Sequence, residues 1–334
     1  MEGKTNTLES IIDFYFNNIL NYEISKLDKK VYLFFDEIQL IPFWQDIVKR
    51  FYDINSQIKF VVTGSASIFI TDKSKESLAG RIFEKYLPPL SFSEYKKLSG
   101  KTDFVEFLDF GQFPELLELK DNEKKIEYLK EGVIGKVLNI DIVKSYGVKK
   151  VFDFERLFWS LLSNCGQIIE SRRLMSDLSL KKATLFKYLA ILEKSLLVNK
   201  VLNLSGSFRS EKRLLRKLYP ASSNFLTLTP ETVSTGLKAE AYITSLLKEK
   251  VRDIYLYNVR GKEIDFVAPD KKIAIEVKYQ ENIHYEDYQF LDKFIREKNY
   301  LGIVVTKKYQ GQTSNLSFVP AEEFAEFLKT KQMK

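Results

Sequence analysis

The sequence predicts an α/β protein built in three successive parts, and three observations predict it. Two apolar runs, Val31–Phe35 (VYLFF) and Ile58–Val62 (IKFVV), flank a helix-like stretch at 44–55, and each run ends in polar residues. Strand, helix, strand with that polarity is the grammar of a parallel sheet buried on both faces, with its site at the carboxyl ends of the strands. Residues 151–222 read as three helices and a two-stranded hairpin, and residues 223–334 as a helix, several short strands, a helix and a strand.

Composition narrows the chemistry. The 334 residues suffice for about two domains at the usual ~150 residues each. At 45% hydrophobic and 29% charged residues, with 14 Gly and 8 Pro, the chain is neither collagen-like nor low in complexity. One cysteine, Cys165, and one histidine, His284, exclude a disulfide framework, a Cys-rich or multi-His metal site, and any Ser-His-Asp triad that does not use His284. Chemistry must rest on carboxylates, lysines, arginines and backbone. Both residues have bland readings, Cys165 as a small buried side chain and His284 as part of a polar turn. No run reaches the ~18 apolar residues of a membrane span, and residues 1–7 hold no apolar signal core. These features predict a cytoplasmic protein with no membrane contact.

Taken in order, residues 7–26 place Leu8, Ile11, Ile12, Phe14, Tyr15, Ile19 and Leu20 at helical spacing, with Thr7 as a candidate cap. A polar joint at 27–30 leads into the first strand. That strand ends in Asp36-Glu37, which delivers two carboxylates to the sheet edge. One can hold Mg²⁺ through water while the other activates an attacking water. Thr63 and Ser65, after the second strand, offer hydroxyls toward the same γ-phosphate position. A capping Asp36 and a surface Glu37 remain the alternative at this point.

Phe35-Asp36-Glu37-Ile38-Gln39, Trp44, Thr63-Gly64-Ser65-Ala66-Ser67, Leu78-Ala79-Gly80-Arg81 and Leu90-Ser91-Phe92-Ser93-Glu94-Tyr95 together resemble, in order and approximate spacing, a prokaryotic and largely archaeal AAA+ ATPase family. That family joins a P-loop domain to a winged helix and a restriction-endonuclease-like C-terminal domain of unknown function. Gly111-Gln112-Phe113-Pro114-Glu115 is similar to its GGFPE segment, with Gln112 in place of the second glycine. The resemblance implies Asp36 as the Walker B magnesium residue, Glu37 as catalytic base, Thr63 or Ser65 as sensor and Arg81 as an arginine acting on the γ-phosphate. It also implies ATP and Mg²⁺ as cofactors. The phosphate loop G-x-x-x-x-G-K-[ST] is not matched: Gly3-Lys4-Thr5 carries only its last letters. The chain is therefore expected to begin inside the ATPase domain and to bind ATP poorly.

The formal net charge of +7 is concentrated in the middle of the chain. Residues 142–222 hold 16 Lys and Arg against 6 Asp and Glu, whereas residues 1–141 carry a net −4 and residues 223–334 a net +1. A concentrated patch is the footprint of a nucleic-acid-binding module. Helices at 154–164, 171–178 and 182–197, then strands at 198–204 and 214–219 around a tip at 205–210, compose a winged helix-turn-helix. Arg172, Arg173, Lys181, Lys182 and Lys187 on its helices can neutralise phosphates, as can Arg209, Lys212, Arg213, Arg216 and Lys217 in or after the wing. Only Thr184, Ser179 and Lys187 are candidate base readers, so DNA contact is expected to be largely independent of sequence. Use as a lid or protein-contact module is the alternative.

In the last part, Asp265 and Ile275-Glu276-Val277-Lys278 have the form D-x(10)-E-x-K, which resembles the PD-(D/E)XK nuclease core. On adjacent strands of a hairpin, Asp265 and Glu276 converge on one Mg²⁺, and Lys278, two residues on, can polarise the attacking water or the phosphate. Glu240, on the preceding helix at 237–248, matches an additional acidic position of that fold. A salt-bridged strand pair on an inactive scaffold is the alternative.

The combined expectation is an incomplete AAA+ domain (1–95), a helical lid or connector (96–150), a winged helix (151–222) and a nuclease-like domain (223–334). The function expected is that of an ATPase-like protein acting on DNA, with homo-oligomers possible. The alternatives are a Mg²⁺-dependent nuclease with a vestigial ATPase part and a non-catalytic DNA-binding or regulatory module.

Overall fold

A computed structural model describes residues 6–64, 78–204, 216–251 and 253–330, and the chain divides into two compact units, Met1–Lys85 and Tyr86–Lys334. Among the described residues, no helix is long and apolar enough to cross a membrane.

In the first unit, helix α1 (Asn6–Phe14) runs into a π-helical turn, Tyr15–Ile19. Strands β1 (Val31–Phe35) and β2 (Ile58–Val62) pair in parallel, from Val31 opposite Ile58 to Phe35 opposite Val62. Helix α2 (Trp44–Ile54) is the crossover between them. Leu8, Ile12, Phe16, Trp44, Ile47, Phe51 and Ile58 form the core, with Val31, Leu33 and Phe35 packed against it. The expectation of strands buried on both faces fails here. Tyr32 and Phe34 alternate outward, with Phe34 71% exposed, because the described helices cover the other face and side chains along a strand point alternately to opposite faces.

The second unit is organised by an eight-stranded mixed sheet in the order β4-β3-β5-β6-β7-β8-β10-β9. Its strands are β3 (Val198–Asn203), β4 (Arg216–Pro220), β5 (Tyr255–Val259), β6 (Lys262–Ala268), β7 (Ile273–Lys278), β8 (Leu301–Thr306), β9 (Gly311–Gln312) and β10 (Leu316–Pro320). The hairpin expected as a wing, β3 with β4, is not a free-standing element. β3 pairs in parallel with β5, so the sheet crosses the line drawn at residue 222.

Helix α3 (Phe92–Ser99) starts in a capping box: Ser91 Oγ accepts from the Glu94 N–H, and the Ser91 N–H donates to Glu94 Oε2 at 2.8 Å. Helix α4 (Phe104–Phe110) follows, and α5 (Val151–Ser163), α6 (Ser171–Asp177) and α7 (Lys182–Lys194) are the three helices expected before the hairpin. Helix α8 (Thr235–Lys250) packs with α4 and the sheet in one large core, and α9 (Tyr285–Lys298) covers the opposite sheet face in a second core with Ile264, Val267 and Ala274.

A buried polar staple joins distant parts of this unit. Gln112 Oε1 accepts from Ser222 Oγ at 2.7 Å and Ser223 Oγ at 2.9 Å, while the Gln112 N–H donates to Asn224 Oδ1 at 2.9 Å. Asn224 Nδ2 in turn donates to the carbonyls of Phe107 and Leu108. Gln112 thus satisfies groups that would otherwise be buried without partners.

Candidate functional site

The acidic centre is built around an irregularity in β6. Tyr255 pairs with Val267 but Tyr257 pairs with Ile264, so β6 spends one residue more than β5 over that stretch. Such a bulge re-aims side chains. Ile264 and Val267 both enter the α9-side core, whereas Phe266 joins the α8-side core. The ladder between β6 and β7 ends at Phe266 opposite Ile275, leaving Asp265 level with Glu276. There the Asp265 carboxylate takes over a ladder position, its Oδ2 accepting the Val277 N–H at 2.9 Å.

Glu276 Oε1 lies 2.8 Å from Lys278 Nζ, and Glu276 Oε2 is buried with no hydrogen-bond partner. From α8, Glu240 Oε2 accepts the Tyr219 hydroxyl at 3.0 Å. From β4, Lys217 pairs with Glu263. Side chains of β4 and β6 meet over two intervening strands, as the rings of Tyr219 and Phe266 do at 5.6 Å, which the coiling of a twisted sheet allows.

The electrostatics are those of crowded acid in a dry setting. Burial first, and the neighbouring Asp265 charge second, push the Glu276 carboxyl up to about 8 and the Glu240 carboxyl up to about 7. Burial also raises the Asp265 carboxyl, against the pull of the Val277 N–H and of Lys217 and Lys278. Burial works against the charge of both lysines. Glu276 and Asp265 outweigh it at Lys278, and Glu263, Asp265 and Glu240 outweigh it at Lys217, so both ammonium groups stay above the ordinary lysine range.

These residues fit a divalent cation in donor chemistry. Carboxylate oxygens are the ligands a hard cation takes, and Glu276 Oε2 is an acceptor with nothing to accept. Among the described residues, no three acidic, histidine or cysteine side chains stand gathered as a ready-made cage. Asp265, Glu276 and Glu240 each engage the partner named above instead.

Lys217 corrects the sequence reading. Expected among the phosphate-neutralising groups of the wing, it is only 7% exposed and engages Glu263 in the acidic centre. Nothing local in the sequence signals this, because the sheet order alone brings residue 217 near residue 263. Glu263 had a visible signal, lying two residues before Asp265 on the same strand.

The other described basic positions on the helices lie at the surface. Arg172, Arg173, Lys181, Lys182 and Lys187 are all exposed on or beside α6 and α7, with Arg173 3.7 Å from Asp177. Arg209, Lys212 and Arg213 lie outside the described residues, as do Ser65 and Gly3-Lys4-Thr5. Ser179, in the turn between α6 and α7, is exposed with a left-handed φ of 53°.

In the first unit, Thr63 Oγ1 donates to Asp36 Oδ1, and the Glu37 N–H donates to Thr63 Oγ1 at 3.4 Å. Glu37 takes the left-handed conformation, φ 51°, and its carboxylate accepts from Gln39. The parallel register makes this meeting possible, since Phe35 opposite Val62 brings Asp36 level with Thr63. Arg81 is not brought into that cluster. Its Nε and Nη2 bind the two oxygens of Asp53 at 2.9 and 3.3 Å, a bidentate pairing that satisfies a guanidinium without phosphate.

Cys165 is buried, and burial raises its thiol far above the reactive range. The His284 N–H donates to Asp287 Oδ2 at 2.8 Å at the start of α9.

Residues 2–96 match a family described as an AAA domain, which suggests an ATPase-like family for that part, and residues 101–222 match a domain of unknown function. An uncharacterized protein of Haemophilus influenzae is 24% identical over 317 residues, covering 89% of this chain and 78% of its own length. Two uncharacterized proteins of Methanocaldococcus jannaschii are 25% and 23% identical. They cover 80% and 91% of this chain and 65% and 72% of their own lengths, so this chain spans just under two thirds of one of them. The relatives thus include a bacterial protein as well as archaeal ones. No solved structure matches.

Proposed function

We propose that this ATPase-like chain acts on DNA and that its acidic centre, with Mg²⁺, hydrolyses phosphodiester bonds. The observation that carries this reading is Glu276, whose Oε2 is buried without a partner, beside Lys278 at 2.8 Å and level with Asp265 on the next strand. Asp265 and Glu276 would hold the cation, with Glu240 of α8 as a further carboxylate held by the Tyr219 hydroxyl. Bound there, Mg²⁺ would polarise the phosphate and lower the pKa of a water. Lys278, 30% exposed along its side chain, reaches the surface and orients the phosphate or the attacking water. The exposed basic groups of α6 and α7 bind the DNA backbone and position the duplex.

The test is cleavage of supercoiled and linear DNA with Mg²⁺ or Mn²⁺. Asp265→Ala and Lys278→Ala should each abolish it while leaving DNA binding intact. Cleavage that persists in both variants sinks the proposal.

A second reading, ATP hydrolysis at the first unit, is favoured by Thr63 donating to Asp36 beside Glu37. That arrangement suits a Mg²⁺ carboxylate and its sensor. This reading carries the expectation that ATP binding by this chain is weak, because Gly3-Lys4-Thr5 matches only the last letters of the phosphate loop. Micromolar affinity by calorimetry would overturn that statement.

A further inference from the structure

Phe152, in the first turn of α5, is 71% exposed. A single exposed phenylalanine is ordinary on a protein surface, but this one stands among cations. The Arg156 guanidinium, one turn further along α5, lies 5.8 Å from the centre of the Phe152 ring. Its Nη2 donates to the Asp177 carbonyl at 3.4 Å, at the end of α6, so the cation beside the ring is itself tethered to the next helix. Lys149 and Lys150, just before α5, are exposed, with Lys150 3.7 Å from Asp153. Phe154 meets Tyr188 of α7 edge-on at 5.0 Å, which seats the start of α5 against α7 as well. The exposed Arg173 of α6 and the exposed Lys181 and Lys182 at the start of α7 flank the Asp177 tether on either side in the chain.

An exposed aromatic ring beside a guanidinium, next to cations that neutralise phosphates, has the composition of a stacking platform for a nucleic-acid base. Bases within a duplex have both faces covered by their neighbours, so a base that stacks on Phe152 must be unpaired. We propose that Phe152 and Arg156 form such a platform, and that it receives an unpaired base of the bound DNA while the cations of α6 and α7 hold the adjoining duplex. The inference rests on the DNA-binding part of the reading above and narrows its substrate to duplex DNA with a single-stranded tail.

The experiment follows the fluorescence anisotropy of labelled DNA bound by the full chain, without divalent metal so that the DNA stays intact. The probes are a blunt duplex, the same duplex with an oligothymidine tail, and the same duplex with an equally long abasic tail, whose phosphates carry the same charge without bases. Wild type is expected to bind the thymidine tail about tenfold more tightly than the abasic one, the scale of one base stacked on an aromatic ring. Phe152→Ala should erase that preference and leave the affinity for the blunt duplex unchanged, which also shows the variant to be folded. Phe152→Trp should keep the preference, and its fluorescence should fall on adding the thymidine-tailed duplex but not the abasic-tailed one. Equal affinity of wild type for the two tails, or an undiminished preference in Phe152→Ala, overturns the platform. A Phe152→Ala variant that loses blunt-duplex affinity to the same extent shows the ring to be merely structural and also overturns it. Wild type that binds none of these DNAs refutes the DNA-binding reading beneath the proposal.

Discussion

Replacing Gln112 by alanine removes the acceptor at the centre of the polar staple in the second unit. Gln112 is 1% exposed, and its Oε1 takes hydrogen bonds from Ser222 Oγ, Ser223 Oγ and, at 3.4 Å, the Asn224 N–H. Two of these donors have a second acceptor. Ser223 Oγ also reaches the Leu108 carbonyl at 2.8 Å, and the Asn224 N–H reaches Ser222 Oγ at 3.2 Å. Ser222 Oγ alone loses its acceptor, a penalty of about 1–3 kcal/mol for a buried polar group. The side-chain atoms lost from a site with no access to solvent add about 1 kcal/mol of packing. The expected loss is about 3 kcal/mol, or roughly 6–12 °C in the melting temperature of a unit of this size. Urea unfolding followed by circular dichroism measures it, with the two units analysed as separate transitions because a single two-state fit does not describe a two-unit chain. A loss below about 1 kcal/mol would refute the account of Gln112 as the satisfying partner.

Four shorter predictions follow from the same geometry. Asp265→Ala should leave the affinity for a DNA duplex within about twofold while abolishing metal-dependent cleavage; a parallel loss of both would mean that the acidic centre serves binding. Replacing Arg172, Arg173, Lys181 and Lys182 together by alanine should reduce the slope of log affinity against log salt by roughly 3–4, at about 0.9 per phosphate contact, and an unchanged slope would place the DNA elsewhere. Gly166→Ala should destabilise the second unit by about 2 kcal/mol in a melting experiment, since Gly166 has φ +71° and a new Cβ would stand 2.6 Å from Leu237 Cδ1; no change would refute both the backbone strain and the clash. ATP titrated calorimetrically into this chain should show no micromolar binding, and Asp36→Ala should make no difference to that result.

The strands are legible as short apolar runs bounded by polar residues, and the helices by apolar residues recurring every three or four positions over longer stretches. Asp36 with Thr63, and Asp265 with Glu276, are legible for a further reason. Each pair lies on adjacent strands, so the distance between partners follows from local register. Arg81 is the contrary case. Its sequence context suits a phosphate arginine, yet Asp53 at the end of α2 holds it through both carboxylate oxygens. Gln112 reads as a lapse in a glycine-rich motif, but it is the hub of bonds to residues 110 and more positions away.

By itself, the sequence determined what is written in neighbouring residues: the alternation of elements, the basic concentration at 142–222, and the carboxylates at strand ends. Only the tertiary structure decided that the hairpin beyond α7 joins the C-terminal sheet and that Lys217 enters the acidic centre rather than lining a DNA-facing wing. Local periodicity sets which way a side chain points from its own strand. Which strands become neighbours is set by burial summed over the whole sheet, and no stretch of sequence near residue 217 contains that sum.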